Sequence, residues 1–311
     1  MKFDLTNPIY NDEDAARAHL EEQLWPVGAI CPHCKTQDVT ALHGKSHRKG
    51  LYQCNSNECR QQFSVTIGTV FERSKIGLHK WVLASHLMAA SKKGMSAKQI
   101  ERMLGVTYKT AWFMMHRIRE AMSPDAVSDT GPLGGTGHTI EADETFVGGK
   151  AKNVHNGKPV PTKQPVVALV ERGGKARAKH VADVTAKTLR EVLVTHASRK
   201  STLNTDDSLA YYWTGREFAA HGSVNHSASE YVSKDGKTHT QTVESFFAIL
   251  KRGIMGSFHS VSEQHLQRYV DEFCFRWNTR EALDIDDAAR AAAILKGAKG
   301  KRLTYRRTDA A

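Results

Sequence analysis

The sequence predicts an α/β protein, a mixed sheet packed with helices, with a small cysteine-bearing module and a helical module ahead of it. Three observations carry this prediction. Cysteines fall in two close pairs, Cys31 with Cys34 and Cys54 with Cys59. Apolar residues recur at helical spacing from His79 to Met122. From HTIEADETFVGG onward, short strand-like runs alternate with a helical stretch and lead to closing helices, the order of a mixed sheet with flanking helices.

The chain has 311 residues, enough for about two domains. With 40% hydrophobic and 25% charged residues it is globular in composition, which excludes wholesale disorder. No run of about 18 uncharged apolar residues appears, and MKFDLTNPIYNDEDAA lacks the apolar centre of a secretory signal, so a cytoplasmic protein that makes no use of a membrane is expected. The net charge of +11 is unevenly spread. Residues 1–30 hold two basic and six acidic residues, residues 31–120 hold fifteen basic and five acidic, and residues 296–311 hold six basic and one acidic. A basic load concentrated in a front module and a tail is the electrostatic pattern of a polyanion-binding protein.

After an N-terminal segment, 1–24, the cysteines define a module over residues 25–70. Their pattern is C-x2-C, nineteen residues, then C-x4-C. Thiolates so spaced converge on tight turns, and two such turns supply the four tetrahedral ligands of a structural Zn²⁺. A cytosolic chain keeps its thiols reduced, which disfavours disulfides. His43 and His47, between the pairs, stand as reserve ligands.

Residues 71–123 read as three helices. Trp81, Leu83, Leu87 and Met88 set the period of the first, and Ile100, Met103 and Leu104 that of the second. Ser96 with Gln99 forms a capping box, and Gly105 ends the second helix before YKTAWFMMHRIREAM resumes the period. With Ala111, Trp112, Met115 and Ile118 turned inward, Tyr108, Lys109, Thr110, His116 and Arg117 make up a recognition face for the major groove of double-stranded DNA, as in a helix-turn-helix.

A linker over 124–137, rich in Gly, Pro and Ser, leads to a second domain over 138–283. HTIEADETFVGG, PVVALVERGG, KARAKHVADV and STLNTD read as strands, and AKTLREVLVTHA as a helix before the last of them. Asp143 lies in the first strand, Asp206 ends the fourth, and Glu244 opens a later helix. Three converging carboxylates repel unless a hard cation neutralises them, which points to Mg²⁺ or Mn²⁺. Glu144 and Asp207 are immediate neighbours on the opposite strand faces and compete for the same roles, while Glu141 shares the face of Asp143 as a fallback ligand or a supporting residue.

CPHC with CNSNEC, LGVTYKTAWFMMHRIR, IEADETFVGGK, LNTDDSLAY and HTQTVESFFAILKRGIMGSFHSVSEQHLQRYVDEFCFRWNTR together resemble the insertion-sequence transposases of the ISXO type over most of the chain. The resemblance implies a zinc ribbon, a helix-turn-helix and a ribonuclease-H-like DDE catalytic domain. It implies Asp143, Asp206 and Glu244 as the metal-binding triad, acting in 3′-end cleavage and strand transfer. Lys251, seven residues and about two turns after Glu244, shares its helix face and is expected to contact DNA, with Arg252 as its alternative. Gln241 stands where the family pattern has Asn. His226 and His239 are candidate DNA or metal contacts that fit a structural role equally well. Tyr269, Phe273, Phe275 and Trp277 read as core, and Arg276 and Arg280 as backbone contacts. The implied partners are terminal inverted repeats and target DNA, held by a homodimer or larger assembly. Residues 284–311 are expected to form a basic C-terminal tail. A DNA-binding regulator without activity and a nuclease without strand transfer are the alternative functions.

Overall fold

The computed structural model describes residues 4–124, 131–148, 163–225, 231–234 and 236–304. The chain divides into two compact units, the first formed by the chain up to Ser123 together with the segment from Asp284, the second by Pro124–Leu283.

In the first unit, helix α1 (Glu13–Leu24) starts at Asp12, whose side chain accepts from the backbone N–H groups of Asp14 and Ala15. A three-stranded antiparallel sheet follows, β1 (Val39–Leu42), β2 (Leu51–Cys54) and β3 (Gln62–Phe63). Trp25, Tyr52 and Phe63 pack beside it with ring centroids 5.3 to 5.8 Å apart. Helices α2 (Leu78–Ala90), α3 (Ala97–Leu104) and α4 (Tyr108–Met122) come next. Both halves of the capping box at Ser96 are formed, and Gly105 closes α3 at φ 60°, ψ 43°, the left-handed conformation that glycine adopts without a Cβ clash.

The segment expected as a basic tail instead forms helix α9 (Asp287–Lys296) and completes the first unit. Its apolar residues explain the correction. Ile294, Leu295 and Ala298 are buried, Arg290 Nη1 donates to the Ala89 carbonyl at 3.0 Å, and Lys301 Nζ donates to the Ser123 carbonyl at 2.6 Å. The stretch 305–311, with Arg306 and Arg307, lies outside the described residues.

The second unit is built on a five-stranded sheet in the order β6-β5-β4-β7-β8. The strands are β4 (Thr139–Val147), β5 (Gln164–Glu171), β6 (Ala176–His180), β7 (Thr202–Asp206) and β8 (Ala220–Val224). β4, β5 and β6 pair antiparallel in sequence, whereas β7 lies parallel to β4 and β8 parallel to β7. This is the mixed sheet expected of a ribonuclease-H-like domain. The four strands read from sequence are present; β8, whose AHGSV run lacks alternation, was not legible.

Alternation on β4 and β5 divides the apolar residues between two cores. Val166, Ala168 and Val170 face helices α7 (Gln241–Gly253) and α8 (Glu263–Asn278), meeting Val243, Phe246, Leu250, Leu266, Val270 and Phe273. Ile140, Ala142, Val167 and Leu169 face the other way, toward α5 (Ala186–His196) and α6 (Leu209–Gly215). Each β4 residue therefore reports by its parity which set of helices it confronts.

Candidate metal and DNA-processing sites

The four paired cysteines meet in the ribbon. Their sulfurs lie within 4.8 Å of one another, with Cys31 Sγ 3.8 Å from Cys59 Sγ and Cys34 Sγ 3.5 Å from Cys54 Sγ. A disulfide needs about 2.05 Å, while a tetrahedron of thiolates about 2.3 Å from Zn²⁺ has edges of about 3.8 Å. The donor set therefore fits zinc. Each pair is followed by a non-glycine residue in the left-handed region, Lys35 at φ 65° and Arg60 at φ 48°, which turns the backbone so that both thiols point inward. Burial works against the Cys31 thiolate, yet the backbone N–H groups of Cys34 and His33 together with the thiols of Cys34 and Cys59 outweigh it and bring the thiol down to about 7. His43 and His47 are exposed and stand outside the cluster.

In the second unit, Glu141 on β4 pairs with Asn204 on β7. Asp143 and Asp206 each lie two residues further along their strands, so both carboxylates belong to that same face. Asp143 is paired with Ala168, a member of the core beneath α7, the helix that carries Glu244 in its first turn. Strand geometry thus brings these three toward one side of the sheet. Glu144 turns to the opposite face, where the hydroxyl of buried Tyr211 donates to its Oε2. Asp207 follows the end of β7 and is exposed.

Burial drives the Asp143 carboxyl up to about 7, and the neighbouring charges of Glu144, Asp206 and Glu244 push in the same direction against a stabilising N–H from Glu144. Asp206 Oδ1 accepts from the Ser208 N–H at 3.2 Å, and Glu244 Oε1 accepts from the Thr240 hydroxyl at 3.0 Å. Hard oxygen donors that repel one another across a partly buried site suit a divalent cation such as Mg²⁺. Among the described residues, only the four cysteines gather three or more ligand atoms within one ion's reach; the three carboxylates act on one another through space without closing such a shell.

Glu141 has no capacity left to be a ligand. It is fully buried and accepts from the Thr242 N–H at 2.7 Å, the Thr242 hydroxyl at 2.9 Å, the Val243 N–H at 3.1 Å and Arg172 Nε at 2.6 Å. It therefore caps the start of α7 from within β4, tying the helix of Glu244 to the strand of Asp143. Arg172 also donates to the carbonyls of Lys237 and His239, and His239 Nδ1 lies 3.2 Å from Glu141 Oε1, which places His239 in the same support. Arg172 and Tyr211 were not singled out from sequence. The available signal for Arg172 was a single cation at the ERGG turn immediately after an apolar strand.

On α7, Glu244, Ala248 and Lys251 share an exposed stripe, and Gln241 is exposed at its first position. Arg252 is exposed, with Nε donating back to the Ala248 carbonyl at 3.0 Å. His226 lies outside the described residues.

Of the expected DNA contacts, His116, Arg117 and Arg276 are buried and Arg280 is half-buried. On α4, Tyr108 and Lys109 are exposed and Thr110 half-buried, but His116 and Arg117 are buried. His116 packs against Trp112 with ring centroids 4.1 Å apart. Arg117 donates to the Glu72 and Leu303 carbonyls, each at 3.1 Å, and stacks over Phe113. Arg276 is buried in an ion pair with Glu272 one turn away on α8, and Arg280 donates to the Gly174 and Trp277 carbonyls. Arg117, Arg276 and Arg280 thus direct guanidinium N–H groups to partners inside their own units.

Residues 132–278 match the ISXO2-like transposase domain and residues 11–62 the transposase zinc-ribbon domain. An uncharacterized protein in transposable element ISH50 of Halobacterium salinarum is 28% identical over 284 residues, covering 83% of this chain and 89% of that protein. Among solved structures, a pre-cleavage Mos1 transpososome matches at a TM-score of 0.26 and 10% identity, covering 70% of this chain and 78% of that one. A Mos1 transposase paired-end complex with the left transposon end matches at 0.20 and 11% identity, covering 71% and 80%. The chain thus carries, in this order, matches to a transposase zinc-ribbon domain over its four-cysteine cluster and to an ISXO2-like transposase domain over its mixed sheet.

Proposed function

We propose that the protein binds the terminal inverted repeats of its element and uses Asp143, Asp206 and Glu244 for metal-dependent 3′-end cleavage and strand transfer into target DNA. The observation that carries this reading is the placement of the three carboxylates toward one side of the sheet, where burial, with the charges of Glu144, Asp206 and Glu244 adding to it, raises the Asp143 carboxyl to about 7. Mg²⁺ or Mn²⁺ bound there supplies charge neutralisation and activation of the attacking oxygen in phosphodiester displacement. The chain's own part is to hold the donors. Asp143 and Asp206 are fixed by adjacent strands, and Glu244 by a helix whose first turn is anchored on Glu141. Lys251, on the exposed stripe of Glu244, is the contact for the phosphate beside the cut, and Arg252 serves as a neighbouring one. The exposed start of α4, Tyr108 and Lys109 with Thr110, reads the repeat, within a front module whose basic excess supplies salt-dependent affinity. A homodimer or larger assembly holds the two ends.

The test is incubation of the protein with an inverted-repeat end and a target plasmid in Mg²⁺, wild type beside Asp143→Asn. Nicks at 3′ ends and joined strands from the wild type alone support the reading. Repeat binding without metal-dependent products from either protein would sink the catalytic assignment.

A further inference from the structure

Helix α6 begins three residues after Asp206, and its two faces differ sharply. Tyr211, Thr214 and Gly215 are buried against the sheet. Leu209, Tyr212 and Trp213 are 86%, 46% and 71% exposed, and Arg216 is exposed at the end of the helix. Positions 209, 212, 213 and 216 follow the i, i+3, i+4, i+7 spacing of a single helix face. This outer stripe therefore consists of an aliphatic residue, two aromatic rings and a guanidinium.

The stripe is internally ordered. Tyr212 and Trp213 meet edge to face at 5.1 Å, and the Arg216 guanidinium lies 4.3 Å from the Tyr212 centroid and 5.1 Å from that of Trp213 while donating to the Tyr212 hydroxyl. Glu217, the neighbouring acid, is engaged by Arg190 at 2.5 Å and Arg199 at 3.2 Å, and Arg216 is the cation of the stripe itself. Exposed aromatic rings beside a guanidinium match the chemistry of an unpaired nucleotide, whose base stacks on the rings while its phosphate meets the cation. A base held in a duplex offers no free face, so a nucleotide must leave the stack to use the stripe.

We propose that Trp213 and Tyr212, with Arg216, form a stacking platform for an unpaired nucleotide of the DNA processed at the neighbouring carboxylates. This rests on the DNA-processing reading above for its location but has a binding test of its own. The full chain is titrated, without Mg²⁺, with a short mixed-sequence single-stranded oligonucleotide carrying one 2-aminopurine, and with its duplex, for wild type, Trp213→Ala and Trp213→Phe. Stacking predicts quenching of 2-aminopurine by the wild type, and single-strand affinity about 5- to 150-fold weaker for Trp213→Ala. Trp213→Phe should restore most of this affinity, and duplex affinity should change less than about twofold.

Equal single-strand affinity for wild type and Trp213→Ala overturns the platform, as does a wild type that binds no single strand. A Trp213→Ala protein that sediments as a monomer where the wild type is a dimer, with oligonucleotide affinity unchanged, assigns the stripe to a second copy of the chain and also overturns it. Wild-type end cleavage in Mg²⁺ alongside a failed stacking test leaves the transposase reading standing. Lost stacking in Trp213→Ala with no cleavage by the wild type removes the catalytic reading and keeps the platform.

Discussion

A carboxyl buried beside other carboxylates resists ionisation, and Asp143, with its carboxyl near 7, is in that position. Its unfolded value lies lower, so the metal-free folded state binds the extra proton and loses stability as pH rises from about 4 through 7. A divalent cation held by Asp143, as proposed, would have to displace that proton. Apparent Mn²⁺ affinity, measured by calorimetry, is therefore expected to climb between pH 5.5 and about 7 and then level off, and Asp143→Asn should abolish the climb; an affinity flat over that range would contradict the assignment. Glu141 has the opposite character, a buried anion with every partner supplied. Glu141→Ala would strand Arg172 and two N–H groups of α7, at a cost of about 3–5 kcal/mol in thermal unfolding. Glu141→Gln, which keeps the size but loses the charge, should fall between and require more Mg²⁺ for half-maximal cleavage. An unchanged Mg²⁺ requirement in a folded Glu141→Gln protein would show that α7 does not depend on this cap. At this scale sequence parity separated Asp143 from Glu144, because strand alternation is local. The saturation of Glu141 was not legible, since its partners come from residues 172, 242 and 243.

Helix α4 shows what periodicity reveals and what it does not. The capping box, the Gly105 turn and the inward Ala111, Met115 and Ile118 were all readable, because they depend on neighbours within a turn or two. The burial of His116 and Arg117 was not. It arises from the chain near Glu72 and Leu303 closing over the second half of the helix, and polar residues at those positions look like a free face until that cover is known. The helix thus divides into an exposed start and an embedded end. Lys109→Ala should lower the slope of log affinity for repeat DNA against log salt by about 1, with stability unchanged within about 0.5 kcal/mol. Arg117→Ala should do the reverse, lowering stability by about 1–3 kcal/mol as two carbonyls lose their donor, with the salt slope intact. A salt slope altered by Arg117→Ala in folded protein would return that residue to the DNA face.

For the molecule as a whole, the cysteine spacing and the family motifs were strong enough to locate the zinc ribbon and the mixed sheet in order. Among the described residues no helix is long and apolar enough to cross a membrane. Because the ribbon has a small core of its own, held by Cys31, Cys54 and Phe63 with Trp25 and Tyr52 against them, zinc should supply much of its folding energy. Chelation is expected to strip hydrogen-exchange protection from β1, β2 and β3 while leaving β4, β5 and β7 protected; retained protection in the ribbon would mean that its apolar cluster suffices. What the sequence concealed was the return of the chain, because an alanine-rich helix near a basic end carries little sign of which earlier helix it covers.

That return has a temporal side. Helix α9 supplies buried Ile294 and Leu295 to a unit whose other helices are finished by Ser123, and the whole carboxylate-bearing unit is translated in between. At roughly 5–20 residues per second, a ribosome takes on the order of ten seconds or more to cross that interval. For that time the nascent chain presents α2 without its cover while the later sheet is already assembling. The growing polypeptide thus acquires its five-stranded sheet before its front end is sealed, and a ribosome that stalls near Asp284 would release a protein with that sheet complete and an open front.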